Sequence, residues 1–208
     1  MTSSTTAPAG STRVDPASGD GAPVDPDRYV VVTGGPGSGK STLIEALARE
    51  GFAHSQEAGR GVIQGQSAIG GPGLPWADRA LFAELMLGWE LRSYELAGRL
   101  AGPVVFDRGV PDTVGYLRLE GLPVPAHLDA AARRFRYRGR VLVAPPWEEI
   151  YVRDAERRQS FAEAVRTYEA MVETYTRYGY EPVELPCVDV GARVRFVRTE
   201  LDGGAVAR

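Results

Sequence analysis

Tyr29-Val30-Val31-Val32-Thr33-Gly34-Gly35-Pro36-Gly37-Ser38-Gly39-Lys40-Ser41-Thr42 is the stretch that decides how the rest of the chain is read. Tyr29 to Thr33 is a short, largely β-branched run, the composition of a strand buried on both faces of a parallel sheet. From Gly34 onward the residues match G-x-x-x-x-G-K-[ST] at every specified position, and Leu43, Ile44 and Leu47 follow at helical spacing. A strand, a glycine turn and a helix in that order form an anion nest: backbone N–H groups point at phosphate oxygens, and the helix adds its positive end. Gly35, Pro36, Gly37, Ser38, Gly39, Lys40, Ser41 and Thr42 are therefore the candidate nucleotide-binding residues. Lys40 would reach the β and γ phosphates of ATP, and the Ser41 hydroxyl would ligate Mg²⁺. The competing reading is an incidental glycine turn ahead of a helix. Against it, Lys40 is the only lysine in a chain with 24 Lys and Arg residues, the remaining 23 being arginine.

Outward from this stretch, strands and helical patterns alternate. A helical pattern covers Trp76 to Leu100, an apolar run covers Pro103 to Phe106, and a helical stretch follows Pro111. Then come the run Arg140 to Ala144, a long helix from Ser160 to Tyr178, a short strand at Pro182 to Leu185 and a last amphipathic helix over Ala192 to Leu201. Such alternation predicts an α/β chain of three layers: a mostly parallel, five-stranded phosphate-loop sheet with helices on both faces and ligands at the carboxyl edge of the strands. Residues 1–27 are almost entirely Ser, Thr, Ala, Pro, Gly and Asp and read as a disordered tail; residues 28–208 read as one nucleotide-binding domain.

Composition removes several mechanisms. The chain has 208 residues, a net charge of −3, no asparagine, two histidines and one cysteine. Disulfide frameworks, Cys/His zinc sites and the Asn-Lys-x-Asp guanine-reading motif are excluded. The acidic balance gives no general footprint for nucleic acid, so the partner expected is a small-molecule acceptor. No segment reaches the ~18 uninterrupted apolar residues of a membrane span. No secretory signal is expected from the first residues, and the lone thiol fits a reducing, cytoplasmic setting.

Four further groups carry candidate chemistry. Val104-Val105-Phe106-Asp107-Arg108 ends a strand with a carboxylate, and Asp107 would share Mg²⁺ with Ser41. Arg108 stands where many ATPases place a water-activating Glu, which resembles the Asp-Arg pair of nucleoside and nucleotide kinases and favours transfer over hydrolysis. The alternative is that Asp107 caps the next helix. Glu57-Ala58-Gly59-Arg60 follows the expected second strand: Glu57 or Asp107 would orient an acceptor hydroxyl, while Arg60 and Arg108 would bind the acceptor. The alternative is a surface Glu57–Arg60 pair. Arg153, Arg157 and Arg158 are spaced to share one broad helical face, where they would form a kinase-like lid that stabilises the transferring phosphoryl group, the alternative being a solvated face balanced by Asp154 and Glu156. Arg133 to Arg140 interleaves arginine with aromatics, a pattern that suits an anionic partner but also the exposed end of a helix leading into a strand. Trp76, Trp89, Met86 and Tyr94 are expected in the core or on a pocket wall.

Taken together, GGPGSGKST at 34–42, EAGRGVIQGQ at 57–66, FDRGVPDTVGYL at 106–117 and PPWEEIYVRDAERRQSF at 145–161 resemble the NadR-like AAA-domain family of small P-loop proteins. The resemblance runs from Arg28 to Leu201, and ribosylnicotinamide kinase domains are among the family's relatives. It implies a kinase-like sheet and binding of ATP and Mg²⁺. It does not supply the acceptor, because the riboside-pocket residues cannot be matched one by one. No His-x-x-His nucleotidyl motif stands in the chain, so the adenylyltransferase half of the bifunctional relatives is not expected. The residues and the resemblance together predict an ATP-dependent phosphotransferase of a small hydroxylated metabolite, with an NTP-dependent switch or ATPase as the alternative.

Overall fold

Along Tyr29–Gly34 (β1) every residue is buried, and successive side chains feed two different cores. Tyr29 and Val31 point to one face of the sheet, Val30 and Val32 to the other. That two-sided burial is why the strand carries no polar alternation. In the computed structural model of the protein, residues 25–151 and 160–203 are described. The expected tail falls largely on residues 1–24, and Arg153, Arg157 and Arg158 of the expected lid fall on 152–159; both lie outside the described residues.

Ala53–His54 (β2), Val104–Asp107 (β3), β1, Arg140–Ala144 (β4) and Glu181–Glu184 (β5) form one sheet in the order β2-β3-β1-β4-β5. Every neighbouring pair is parallel. The register sets Val32 opposite Asp107 and Gly34 opposite Ala144, so the ends of three central strands meet around the glycine loop. Strand order reverses beside β1, which puts the crevice for a ligand at its carboxyl end.

Lys40–Arg49 (α1) and Val190–Gly203 (α7) cover one face through Leu43, Leu47, Val194 and Val197. Arg79–Ala97 (α3), Val110–Leu119 (α4), Ala126–Arg134 (α5) and Phe161–Arg177 (α6) cover the other. Ala58–Ile69 (α2) packs on α3 through Ala58, Val62, Phe82 and Met86. The three-layer α/β architecture is thus the one expected from the alternation of elements.

Local chemistry explains where the boundaries differ from the expectation. The helix expected from Trp76 starts at Arg79, because the Asp78 side chain accepts the Leu81 N–H at 2.9 Å and caps it; such a cap is worth about 1 kcal/mol. Trp76 is left 68% exposed, outside the core and away from the wall expected for it. The single helical stretch expected after Pro111 is two helices, α4 and α5, broken where Gly121 takes φ +68° ahead of Pro123 and Pro125. Arg133 and Arg134 end α5 exposed and Arg140 begins β4 exposed, the bland reading of that basic cluster.

Candidate active site

The loop after β1 curls around the ammonium group of Lys40. Lys40 Nζ donates to the Gly35 carbonyl at 2.6 Å, the Gly34 carbonyl at 3.1 Å and Ser38 Oγ at 3.3 Å, and the Ser38 hydroxyl donates to the Gly35 carbonyl at 2.8 Å. Gly37 and Gly39 take φ of +72° and +78°, left-handed conformations that a side chain resists. Lys40 is 7% exposed, and burial, reinforced by the charge of Arg108, lowers its pKa to about 8. A negatively charged ligand in the nest would raise that value again and favour the ammonium form further. Ser41 is half-buried in the first turn of α1, and Thr42 beside it is exposed.

β3 delivers the next two groups. Asp107 is 7% exposed, and its Oδ1 is buried without a hydrogen-bond partner. It does not cap α4, whose N-cap is Gly109. Burial and the neighbouring charge of Glu57 push Asp107 up to about 6. Arg108 has φ +74°, the one left-handed non-glycine residue among those described. Its Nε donates to Glu57 Oε1 at 3.1 Å and its Nη1 to Asp112 Oδ1 at 3.1 Å. Burial works against the guanidinium charge, but Glu57, Asp112 and Asp107 outweigh it and hold Arg108 firmly protonated.

Glu57 is the N-cap residue of α2, half-buried at the carboxyl edge. Burial opposes its ionisation, yet Arg108 and Lys40 outweigh that cost and the net direction is downward, so Glu57 is a carboxylate at neutral pH. The surface pairing weighed for Glu57 does not occur: its partner is Arg108, while Arg60 is exposed one turn along α2 and acts on Glu57 only through its field.

Two residues that sequence reasoning left without a role complete the cluster. Asp112 accepts hydrogen bonds from the Thr33 hydroxyl, Arg108, the Gly109 N–H at 2.9 Å and the Tyr175 hydroxyl at 2.6 Å. It therefore clamps Arg108 to β1 and α6. The available signal was its place three residues after the Gly109 cap. Glu90 on α3 is 2% exposed, and its Oε2 has no hydrogen-bond partner. Burial, then the charges of Asp112 and Asp107, raise its pKa well above the ordinary range. No periodicity distinguishes such a residue from a surface Glu.

Lys40, Asp107, Glu57 and Arg108 thus converge at the carboxyl ends of β1, β2 and β3. The orphaned Oδ1 of Asp107 and the Ser41 hydroxyl are hard oxygen donors that fit Mg²⁺, which takes few protein ligands and completes its shell with water and phosphate oxygens. Among the described residues no group of three or more His, Cys, Asp or Glu residues forms a protein-only metal cage.

Sheet order and loop geometry define a P-loop α/β fold of the small-kinase type. A family model described as an AAA domain matches residues 29–193, and the chain belongs to that family. None of the curated proteins matches the sequence. Among solved structures, deoxyadenosine kinase from M. mycoides with dCMP and dCDP bound is 14% identical with a TM-score of 0.63, covering 84% of this chain and 99% of that one. The NadR protein in complex with NR is 18% identical with a TM-score of 0.66, covering 84% of this chain but 50% of that one. Thymidylate kinase from Ehrlichia chaffeensis is 14% identical with a TM-score of 0.53, covering 84% and 97%. At these identities the likeness is one of fold.

Proposed function

We propose that the protein is an ATP-dependent kinase that phosphorylates a hydroxyl group of a small metabolite. The observation that carries this reading is the Glu57–Arg108 pair at 3.1 Å, set beside Asp107 and Lys40. Glu57 is held ionised and would accept the hydrogen bond of an acceptor hydroxyl, orienting its oxygen toward the γ phosphate and taking its proton as transfer proceeds. Arg108 occupies the position after Asp107, so β3 ends in one carboxylate instead of two. That arrangement leaves no second acid at the end of β3, where many ATPases activate water, and supports transfer over hydrolysis.

Gly35 to Thr42 would hold the triphosphate, with Lys40 on the β and γ oxygens. Ser41 and Asp107 would hold Mg²⁺, which would supply positive charge to offset that of the phosphates. Arg108, clamped by Asp112, and the exposed Arg60 would contact the acceptor. Two of the fold neighbours were solved with dCMP and dCDP or with NR, which supports a nucleoside-like acceptor. Among the described residues no helix is long and apolar enough to cross a membrane, and the exposed thiol of Cys187 suits the cytoplasm.

A metabolite mixture incubated with protein and Mg-ATP, followed by mass spectrometry, tests the reading. A metabolite that gains one phosphoryl group while ATP is consumed is the expected result. The AAA-domain family favours a second reading, an ATP-driven switch. ATP loss at the same rate with and without the whole mixture would select that second reading.

A further inference from the structure

Arg193 lies in the first turns of α7, 155 residues from the glycine loop in sequence, yet it reaches that loop. It is 2% exposed. Nη1 donates to the Ser38 carbonyl at 2.8 Å, Nε donates to the Pro186 carbonyl at 2.7 Å, and the guanidinium lies 4.7 Å from the centre of the Trp147 ring. One side chain therefore joins three segments: the phosphate loop after β1, the Trp147 segment after β4 and the loop after β5. Burial pulls its pKa down, so the charge is retained there against a desolvation cost.

The bond to Ser38 has a specific consequence. The carbonyl of Ser38 and the N–H of Gly39 belong to one planar trans peptide and point in opposite directions. A guanidinium holding the Ser38 carbonyl from the α7 side turns the Gly39 N–H toward the opposite side, the interior of the anion nest. Gly39 needs its left-handed φ of +78° for this, and a Cβ there would lie 3.0 Å from Arg193 Nη1.

We propose that Arg193 is a positioning residue for phosphate binding: it fixes the Ser38–Gly39 peptide so that the Gly39 N–H is pre-aimed at the ligand, and it ties that peptide to the loops after β4 and β5. The inference rests on the nucleotide-binding reading of the loop and adds a residue that none of its motif positions includes. Preorganisation of this kind raises affinity by removing the cost of ordering donors on binding.

The test is calorimetric titration with inorganic tripolyphosphate and Mg²⁺, together with the ¹⁵N-resolved amide resonance of Gly39. Arg193→Gln keeps a donor at the Nε position, within reach of Pro186, but is too short for Ser38; Arg193→Met keeps the stem and no donor. Tripolyphosphate affinity is expected to fall at least about tenfold in both, with the Gly39 resonance displaced in the unliganded protein. Thermal melting identifies which variant is folded, and R193Q carries the test if R193M is not. Unchanged affinity overturns the proposal, and so does reduced affinity with an unmoved Gly39 resonance, because general loosening would not act on that peptide. Failure of the wild-type protein to bind tripolyphosphate, or equal binding by K40A, removes the nucleotide-binding reading itself.

Discussion

Glu57 and Arg108 meet through a 3.1 Å charged hydrogen bond although 51 residues separate them, and Arg108 holds φ +74° to make it. A left-handed non-glycine residue costs on the order of 1–3 kcal/mol and persists only where its surroundings over-determine it. Here the surroundings are two carboxylates: Asp112 takes Nη1 and Glu57 takes Nε. The guanidinium thereby links Glu57, after β2, to Asp112 on α4. Strain held at this residue, beside an orphaned Asp107 oxygen, supports the proposal that the reaction takes place at this edge.

Arg108→Lys keeps the charge but not the planar fork, so it cannot serve Glu57 and Asp112 together. Acceptor-dependent turnover is expected to fall by about 10²-fold or more, while the dissociation constant for Mg-ATP changes by less than about threefold. Steady-state kinetics alongside calorimetry separates the two effects. Equal losses in both would place Arg108 in the nucleotide site instead.

Lys40→Ala removes the ammonium group that the loop carbonyls of Gly34 and Gly35 now surround. Binding of Mg-ATP is expected to weaken by at least about 10²-fold, because a buried charge-assisted contact to two phosphates is lost. The fold itself is expected to remain, since α1 and β1 are held by Leu43, Leu47, Val30 and Val32. Titration calorimetry and circular dichroism on the same sample check both halves.

How much of this was legible in the sequence follows from range. β1 and the loop were readable because a buried β-branched run, a glycine nest and an amphipathic helix are local signals, complete within Tyr29 to Leu47. Asp107 was readable as a strand end, and Glu57 as a residue of the turn that follows the second strand. That Glu57 would pair with Arg108, and not with the adjacent Arg60, depends on β2 lying beside β3, a contact no local pattern encodes. Glu90 and Arg193 were invisible for a different reason: charged residues on helices read as solvated faces, and only packing of α3 and α7 reveals that these two are inside. Trp76 is the converse case, a large aromatic residue that the Asp78 cap leaves ahead of the helix and in solvent.

Gly37→Ala would place a Cβ 2.6 Å from the Tyr151 ring at a residue whose φ is +72°. Both the ring contact and the left-handed backbone must give, costing about 1 kcal/mol or more. Because the distortion falls inside the anion nest, Mg-ATP affinity is expected to drop by about tenfold while the melting temperature falls by only about 2–4 °C. Fluorescence or calorimetric titration against a thermal melt measures the contrast.

Glu90 offers a pH test of the buried cluster. Burial first, and then the charges of Asp112 and Asp107, hold its folded-state pKa well above that of the unfolded chain. The folded protein therefore binds this proton more tightly than the unfolded one. The resulting stabilisation is fully present below the unfolded value of about 4.3 and is lost as pH rises toward the folded pKa. Glu90→Gln has nothing to ionise, so it is expected to melt higher than the wild-type protein at pH 8. The margin would be about 2–4 °C for each kcal/mol relieved. On lowering the pH toward 5 the advantage should shrink, because the wild-type carboxyl is then neutral in both states to a growing extent. Thermal melts of the two proteins across pH 5 to 8 decide it: a difference that stays constant with pH, or that grows on acidification, would show that Glu90 does not carry the raised pKa assigned to it.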